Sequence, residues 1–138
     1  MPELPEVETT RRGIESSLIQ HRIVRVLVRM PKLRWPIPAE LSQLVTGKTV
    51  QRVTRRAKYI LLQVDGGSVL IHLGMSGSLR LLQSDLTPGK HDHVDFHLDS
   101  GRLLRFNDPR RFGSILWLEN DPLDHPLLVN LGPEPLSD

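Results

Sequence analysis

The spacing of hydrophobic residues changes along the chain, from helical at the start to alternating through most of the remainder. Three apolar residues share one face of a helix in the opening stretch, namely Val7, Ile14 and Leu18. Pro5 suits the first turn of this helix, and Arg11 and Arg12 fall on its outer side. A second, short helix is predicted from about 39 to 45, and Gly47 follows it as a natural C-terminal cap.

Alternating or apolar segments bounded by turn residues predict strands in the rest of the chain. These segments are 23–29, 59–64, 68–73, 79–82, 94–98, 102–106 and 114–118. The turns 65–67 and 99–101 each join two of them as a hairpin, with Gly101 at a left-handed position. We therefore expect an α+β fold, a two-layer β-sandwich or flattened barrel of about eight mostly antiparallel strands with two α-helices.

Prolines mark where this regular structure stops. Pro31, Pro36 and Pro38 break the chain after the first predicted strand, and further prolines make the tail irregular. We interpret residues 1–132 as one domain and residues 133–138 as the start of a linker.

The composition limits the classes of function. The 138 residues are 38% hydrophobic and 25% charged, which is ordinary for a soluble globular domain. The sequence contains no cysteine, which excludes a disulfide, a thiolate nucleophile and a cysteine-ligated zinc site within it. No apolar run approaches the ~20 residues of a membrane helix. Glu3, Glu6 and Glu8 occupy the place of the basic region of a signal peptide, and so we expect no membrane partner.

Charge is distributed unevenly, although the net charge is only +2. All 18 Lys and Arg residues lie within residues 1–111, whereas residues 112–138 carry five acids and neither Lys nor Arg. A polyanionic partner would dock on the first part and avoid the second. The alternative is a solvated basic surface without a partner.

A prolyl nitrogen becomes nucleophilic only at the N-terminus of a chain. Removal of Met1 would turn the amide nitrogen of Pro2 into a secondary amine, and an α-amino group titrates near ~7.7–8.0. Such an amine can attack an electrophilic carbon and form an iminium, with the neighbouring Glu3 as acid or base. Many unrelated proteins begin Met-Pro, and so the dipeptide alone does not establish catalysis. Glu6, one helical turn further, would either tune this site or simply favour the helix dipole.

Apolar residues on basic, glycine-containing segments indicate contacts with nucleobases. Met75 lies between two glycines, which favours an exposed turn, and Phe112 follows Arg110 and Arg111, which favours a loop over core packing. Apolar side chains on basic loops suit wedging between bases. Lys58 is the last charge before an apolar strand, and it is either one more solvated charge or a residue at the rim of a pocket.

Separated segments resemble one known family in the same order. They are MPELPEVETTRRGIE at the start, RRAKYILL around Lys58, IHLGMSGSLR around Met75, KHDHVDF and NDPRRFG between Lys90 and Gly113, and LGPEPLSD at the end. Together they resemble the N-terminal domain of the formamidopyrimidine-DNA glycosylases, bacterial enzymes that excise oxidised purines such as 8-oxoguanine from DNA. The resemblance covers essentially the whole sequence.

The resemblance implies a bifunctional DNA glycosylase and abasic-site lyase that nicks the strand by β- and δ-elimination. Pro2 would be the nucleophile at C1′ of the damaged nucleoside, Glu3 its acid/base partner, and Lys58 an aid to β-elimination. The residues implied to contact DNA are Met75, Arg110 and Phe112, which would fill the void left by the everted nucleotide, with His72, His91 and Arg111. Among these, Arg110 would bond the orphaned cytosine, and His72 and His91 the DNA backbone.

The family also carries parts that this sequence lacks. Members continue into a helix–two-turn–helix region and a four-cysteine zinc finger, and so we expect zinc in the longer protein and no cofactor in this chain. An isolated His91-Asp92-His93 has two imidazoles and no obvious third ligand, and so we predict no metal site there. We expect a monomeric, cytoplasmic bacterial protein that binds damaged double-stranded DNA, with little or no activity from these 138 residues alone.

Three alternatives remain open from the sequence. The chain could be a DNA-binding module without catalysis. It could be a small tautomerase-like enzyme that uses an N-terminal proline as general base, although this leaves the Met75 and Phe112 segments unexplained. Within the family, the branch that acts on oxidised pyrimidines is a competitor, but Leu4 and the Arg110–Phe112 segment look more like the oxidised-purine branch.

Overall fold

A computed structural model describes residues 4–83 and 86–119 of the chain. The expected catalytic pair Pro2 and Glu3 and the expected linker 133–138 lie outside the described residues. Those residues form two helices and eight strands, which confirms the predicted α+β class: α1 (Leu4–Leu18), β1 (Ile23–Val28), α2 (Leu41–Val45), β2 (Arg52–Arg56), β3 (Tyr59–Val64), β4 (Gly67–His72), β5 (Ser78–Gln83), β6 (Asp92–Leu98), β7 (Arg102–Asn107) and β8 (Ser114–Glu119). Neither helix in this part of the chain is long and apolar enough to cross a bilayer.

The strands form two antiparallel sheets of four strands each. One sheet has the order β1-β6-β7-β5 and the other β2-β3-β4-β8. Apolar residues of both sheets join one core cluster, and so the sheets pack face to face as the predicted sandwich. Gly66 and Gly101 take φ values of 90° and 86° in the β3–β4 and β6–β7 turns, a conformation that glycine adopts without a steric penalty.

Strand β2 is not predicted by the sequence pattern, because Val53 is its one apolar residue. The structure buries Arg55 to 5% exposure against α1, where its Nε donates to Glu8 at 2.9 Å. Arg11 also donates to Glu8 and to the carbonyl of Val53, and so the expected outer position of Arg11 is wrong. The Arg11 hydrogen bonds, opposed by burial and helped by Arg55, lower the pKa of Glu8 to about 2.

Buried ion pairs fix the chain where it leaves β1. Asp95 of β6 is fully buried and accepts hydrogen bonds from Arg105 at 2.9 and 3.0 Å, and it also pairs with Arg29 just past β1. Burial raises the pKa of Asp95, but the bonds from the two arginines prevail and lower it. The backbone N–H of Arg29 donates to the carbonyl oxygen of His93 at 2.7 Å. These bonds set the position from which the proline-rich segment departs.

Candidate nucleic-acid interface

Two loops cross between the sheets at one end of the sandwich. The Met75 loop (residues 73–77) joins β4 to β5, and the Arg110 loop (residues 108–113) joins β7 to β8. Strand β4 pairs with β8 in one sheet, and β5 pairs with β7 in the other. Both loops therefore run side by side between the same two pairs of strands. His72 at the end of β4 lies opposite Ser114, and Ser78 lies opposite Asn107. The pairing therefore brings two segments together that lie some 35 residues apart in sequence.

The carboxylate of Asp108 ties the two loops to each other. Asp108 is fully buried, and its Oδ1 accepts a hydrogen bond from Ser76 Oγ at 2.8 Å and one from the Arg111 N–H at 3.1 Å. Its Oδ2 accepts the Gly113 N–H at 2.8 Å. Ser76 Oγ in turn accepts the Arg110 N–H at 3.3 Å. A buried carboxylate with three donors is satisfied, and it holds both loops in one arrangement.

Two glycines let the loop backbones approach closely. Gly74 has a φ of 65°, and a Cβ there would lie 2.6 Å from the backbone of Phe112 and of Gly113. A Cβ on Gly113 would lie 2.5 Å from the carbonyl oxygen of His72. Any side chain at these positions would push the loops apart, because real Cβ atoms essentially never come within 3.0 Å of such atoms. The sequence analysis interpreted these glycines as turn residues. Their main role in the structure is to let the backbones of the two loops approach each other closely.

The predicted wedge residues project from this joined pair of loops. Met75 is 47% exposed and Phe112 is 40% exposed, which confirms the expectation that both lie on exposed loops. The guanidinium of Arg110 lies 5.0 Å from the centre of the Phe112 ring, within the range of a cation–π contact. The structure therefore brings Met75, Arg110 and Phe112 together on one surface, and these three residues are called the wedge below.

His72 stands beside the wedge in a defined tautomer. Its Nδ1 accepts the Gly74 N–H at 3.0 Å, and so a neutral ring carries its hydrogen on Nε2. Burial, together with the nearby cations Lys58 and Arg34, lowers the pKa of His72. The ring packs at 5.0 Å from Tyr59. His72 is thus a neutral Nε2–H donor, which suits a hydrogen bond to a phosphate oxygen.

Lys58 lies in the turn between β2 and β3, close enough to His72 to influence its charge. The first turns of α1 reach the same place, because Glu8 bonds Arg55 and Arg55 bonds the carbonyl of Ala57 at 3.0 Å. Lys58 is half-buried, and its place at a pocket rim stays a prediction. Glu6 is exposed on the first helical turn.

His91 and Arg111 line a separate cleft of about 390 Å³ with Met30 and His93. The rings of His91 and His93 meet edge to face at 6.2 Å, and His93 bonds the Asp108 carbonyl at 2.8 Å. No three potential ligands cluster around a metal position in residues 4–83 and 86–119. Since the sequence also has no cysteine, this part of the chain does not fit the family's zinc centre.

A third loop, which the sequence analysis did not single out, borders the same surface. This proline loop (residues 31–36) reads Pro-Lys-Leu-Arg-Trp-Pro, and its Arg34 N–H donates to the carbonyl of Gly113 at 3.1 Å. Trp35 is 53% exposed, with the Arg34 guanidinium 5.6 Å from its ring centre. The prolines indicated a break in the regular structure. The usable signal was a pair of cations, Lys32 and Arg34, followed directly by the aromatic residue Trp35.

Comparison with known proteins gives a consistent result. Residues 1–115 match the family model of the formamidopyrimidine-DNA glycosylase N-terminal domain. Proteins named formamidopyrimidine-DNA glycosylase are 60% identical over 137 residues in Thioalkalivibrio sulfidiphilus and 61% identical over 139 residues in Xanthomonas axonopodis pv. citri. These alignments cover 99% and 100% of this chain and 51% of each relative.

Solved structures show the same likeness. A complex between the Lactococcus lactis protein Fpg (MutM) and DNA containing Fapy-dG superposes with a TM-score of 0.81 at 32% identity. The match covers 88% of this chain and 46% of that chain. A complex between the wild-type protein of that organism and a DNA containing an oxidised pyrimidine gives a TM-score of 0.79 at 33% identity. The chain thus spans about half the length of the relatives it matches.

Proposed function

The chain belongs to the formamidopyrimidine-DNA glycosylase N-terminal domain family, and from that premise we propose that it forms the catalytic half of a base-excision DNA glycosylase and abasic-site lyase. Its substrate is damaged double-stranded DNA, and its preferred lesions are oxidised purines. It acts as a monomer in the bacterial cytoplasm. The zinc expected for the longer protein belongs to a segment outside these 138 residues.

The joined Met75 and Arg110 loops are the observation that carries this proposal. A glycosylase must take its target base out of the stack, and it must fill the space that the base leaves. Met75 and Phe112 offer exposed apolar side chains beside Arg110, whose guanidinium forms no hydrogen bond within residues 4–83 and 86–119 and can therefore donate to the base left without a partner. Asp108 holds both loops, and so the wedge is rigid before DNA arrives.

Chemistry follows at C1′ of the everted nucleoside. With Met1 removed, the lone pair of the Pro2 nitrogen attacks C1′, and the bond from C1′ to the base breaks with a proton supplied to the leaving base. Opening of the sugar ring then leaves an iminium between Pro2 and C1′, with Glu3 exchanging protons at the ring oxygen. The positive charge acidifies the C2′ hydrogens.

Elimination nicks the strand in two steps. Loss of a C2′ proton expels the 3′ phosphate, and a second elimination expels the 5′ phosphate. Lys58 lies near His72 and the first turns of α1, where its cation favours departure of a phosphate. The neutral His72 donates its Nε2–H to the DNA backbone, and His91 does the same from the neighbouring cleft. Water as nucleophile would form no iminium and would leave the strand intact.

Borohydride trapping tests the nucleophile directly. The chain is mixed with DNA that carries an abasic site, the iminium is reduced, and the covalent product is digested and mapped. We expect the adduct on Pro2. A chain with an extra residue before Pro2 has no prolyl amine, and so it should give no adduct while it still binds DNA.

The other outcomes separate the alternatives. An adduct on Lys58 would overturn the assignment of Pro2 as nucleophile. DNA binding without any adduct would favour a non-catalytic module, and turnover of keto acids without DNA would favour a tautomerase. We expect the 138 residues alone to excise little 8-oxoguanine from duplex DNA, because they span about half the length of the relatives and a protein with fewer phosphate contacts binds DNA more weakly.

The lesion needs its own measurement, since the Lactococcus lactis complexes hold both Fapy-dG and an oxidised pyrimidine. The longer protein is compared on duplexes that contain 8-oxoguanine or an oxidised pyrimidine. We expect a higher kcat/KM on the purine lesion. The reverse order would move the chain to the oxidised-pyrimidine branch.

A further inference from the structure

The proline loop is built as a rigid platform with an outward-facing edge. Leu33 and Ile37 are 5% and 6% exposed and anchor it to the core, while the residues between and beside them point outward. Within the loop, the Leu33 N–H bonds the Trp35 carbonyl at 3.1 Å and the Ile37 N–H bonds the Pro31 carbonyl at 2.8 Å. Prolines at both ends reduce its conformational freedom further.

The loop is fixed at its outer end as well as at its base. The N–H of Arg34 donates to the carbonyl of Gly113, which belongs to the Arg110 loop and is itself held by Asp108. The edge formed by Lys32, Arg34 and Trp35 therefore keeps a constant position relative to the wedge. A ligand that meets Phe112 also meets this edge.

Two clefts, each of about 420 Å³, flank Arg34. One is lined by Trp35, Tyr59, Met75 and Phe112 among others, and the other by Lys32, Arg110 and Arg111. Neither cleft has a carboxylate among its described lining residues. Cations and aromatic faces without acids fit a polyanion that also presents flat apolar groups, which describes a nucleic acid better than a protein segment.

We propose that the proline loop is a third DNA-contacting element, in which Lys32 and Arg34 pair with phosphates and Trp35 packs against a nucleotide next to the wedge. This inference rests on the proposed function, because it places the loop on the DNA that the wedge enters. The exposed Trp35 ring is held ready by the Arg34 contact, and so little side-chain order has to be gained on binding.

Salt dependence tests the two cations. Binding of a fluorescent duplex with a tetrahydrofuran residue is followed by anisotropy over a range of salt at one fixed pH. Each lost phosphate contact lowers the slope of log K against log salt by about 0.9, and so the double variant K32Q/R34Q should lose about 1.8. The matched control R22Q/R25Q removes two exposed arginines, one just before β1 and one within it, and its slope should stay unchanged.

Tryptophan emission tests the aromatic contact. The sequence has two tryptophans, and Trp117 packs against the core. We expect DNA to quench the emission of the native chain and to leave that of the W35F variant unchanged while anisotropy still reports binding. W35A should weaken binding by about 5- to 150-fold, the range for loss of one aromatic stacking contact.

The results distinguish this inference from the function beneath it. Normal binding with an unchanged salt slope in K32Q/R34Q, or with equal quenching in W35F, would overturn the role of the loop and leave the glycosylase assignment standing. Absence of any DNA binding by the native chain at low salt would overturn both. Thermal melting of each variant checks that it is folded. We expect no loss of folding, because the substituted side chains are exposed.

Discussion

Ser76 and Asp108 are the places at which the link between the two loops can be cut without touching the wedge. We predict that S76A and D108N both destabilise the chain and slow its reaction with duplex DNA. Serine 76 gives the carboxylate one of its three hydrogen bonds, and the Arg111 and Gly113 N–H groups give the others. The control is S78A, because the Ser78 hydroxyl, two residues further on, has no partner among the described residues.

The magnitudes follow from the number of bonds lost. A hydrogen bond to a charged group contributes ~1.5–3 kcal/mol. For S76A we expect a loss of about 1.5 kcal/mol, at the low end of that range, because Asp108 Oδ1 keeps the Arg111 N–H. In D108N an amide N–H₂ must face either the Gly113 N–H or the donors at Oδ1, and so a loss of about 3 kcal/mol is expected. S78A should stay within ~0.5 kcal/mol of the native chain.

Urea unfolding measures these losses, and a double-mutant cycle measures the bond. Since Ser76 and Asp108 touch, the double variant should be less destabilised than the sum of the single variants by at least ~0.5 kcal/mol. The functional readout is the ratio of borohydride trapping rates on duplex and single-stranded abasic DNA. Only the duplex needs the wedge, and so S76A should lower this ratio, whereas a merely less stable chain would lose both rates together.

Two results would refute this reasoning. Additive losses in the cycle would show that Ser76 and Asp108 do not cooperate, whatever their separation in the structure. An unchanged duplex ratio in S76A and D108N, with both chains folded, would show that the wedge works without a fixed arrangement of the two loops.

Three further predictions follow from the same structure. G74A should destabilise the chain by more than ~2 kcal/mol in urea, because its Cβ would meet backbone at a φ of 65°, whereas G13A in open space on α1 should gain ~0.5–1 kcal/mol. The pKa of Glu8 is about 2 in the folded chain against an ordinary 4.5, which corresponds to about 3 kcal/mol of stability. This contribution is complete above pH ~4.5 and is lost as the pH falls towards ~2. The difference in free energy of unfolding between the native chain and E8Q should therefore close over that interval. Burial and Lys58 lower the pKa of His72, and so its NMR titration midpoint should lie below ~6.5 and should rise in K58Q.

Local patterns in the sequence were sufficient for most of the fold. The apolar runs of β3 and β4 and the glycine turn between them predict a hairpin wherever they occur, because each step needs only neighbouring residues. Strand β2 escaped prediction because Arg55 is buried by an ion pair with Glu8, 47 positions earlier. A charged residue at such a position predicts a solvent-exposed side chain unless its partner on the helix is known.

The candidate site divides along the same line. Glycines and arginines near Met75 and Phe112 were enough to predict exposed loops, since turn chemistry is local. That the two loops form one unit depends on β4 pairing with β8 and β5 with β7, and no short window of sequence contains those pairings. Asp108 was therefore invisible as the residue that joins them, although Asp-Pro at this position indicates a turn.

The proline loop shows why such sites are found late. Its prolines predicted a break in the backbone but gave no information on what the neighbouring side chains contact. A role for Lys32, Arg34 and Trp35 follows only from the hydrogen bond between Arg34 and Gly113. That bond places their edge beside the wedge, and so one end of the sandwich collects three loops that the sequence keeps far apart. Substitutions on this surface can change the proposed contacts with DNA while the core stays the same, because its exposed side chains lie outside the buried cluster: Lys32, Arg34, Trp35, Met75, Arg110 and Phe112.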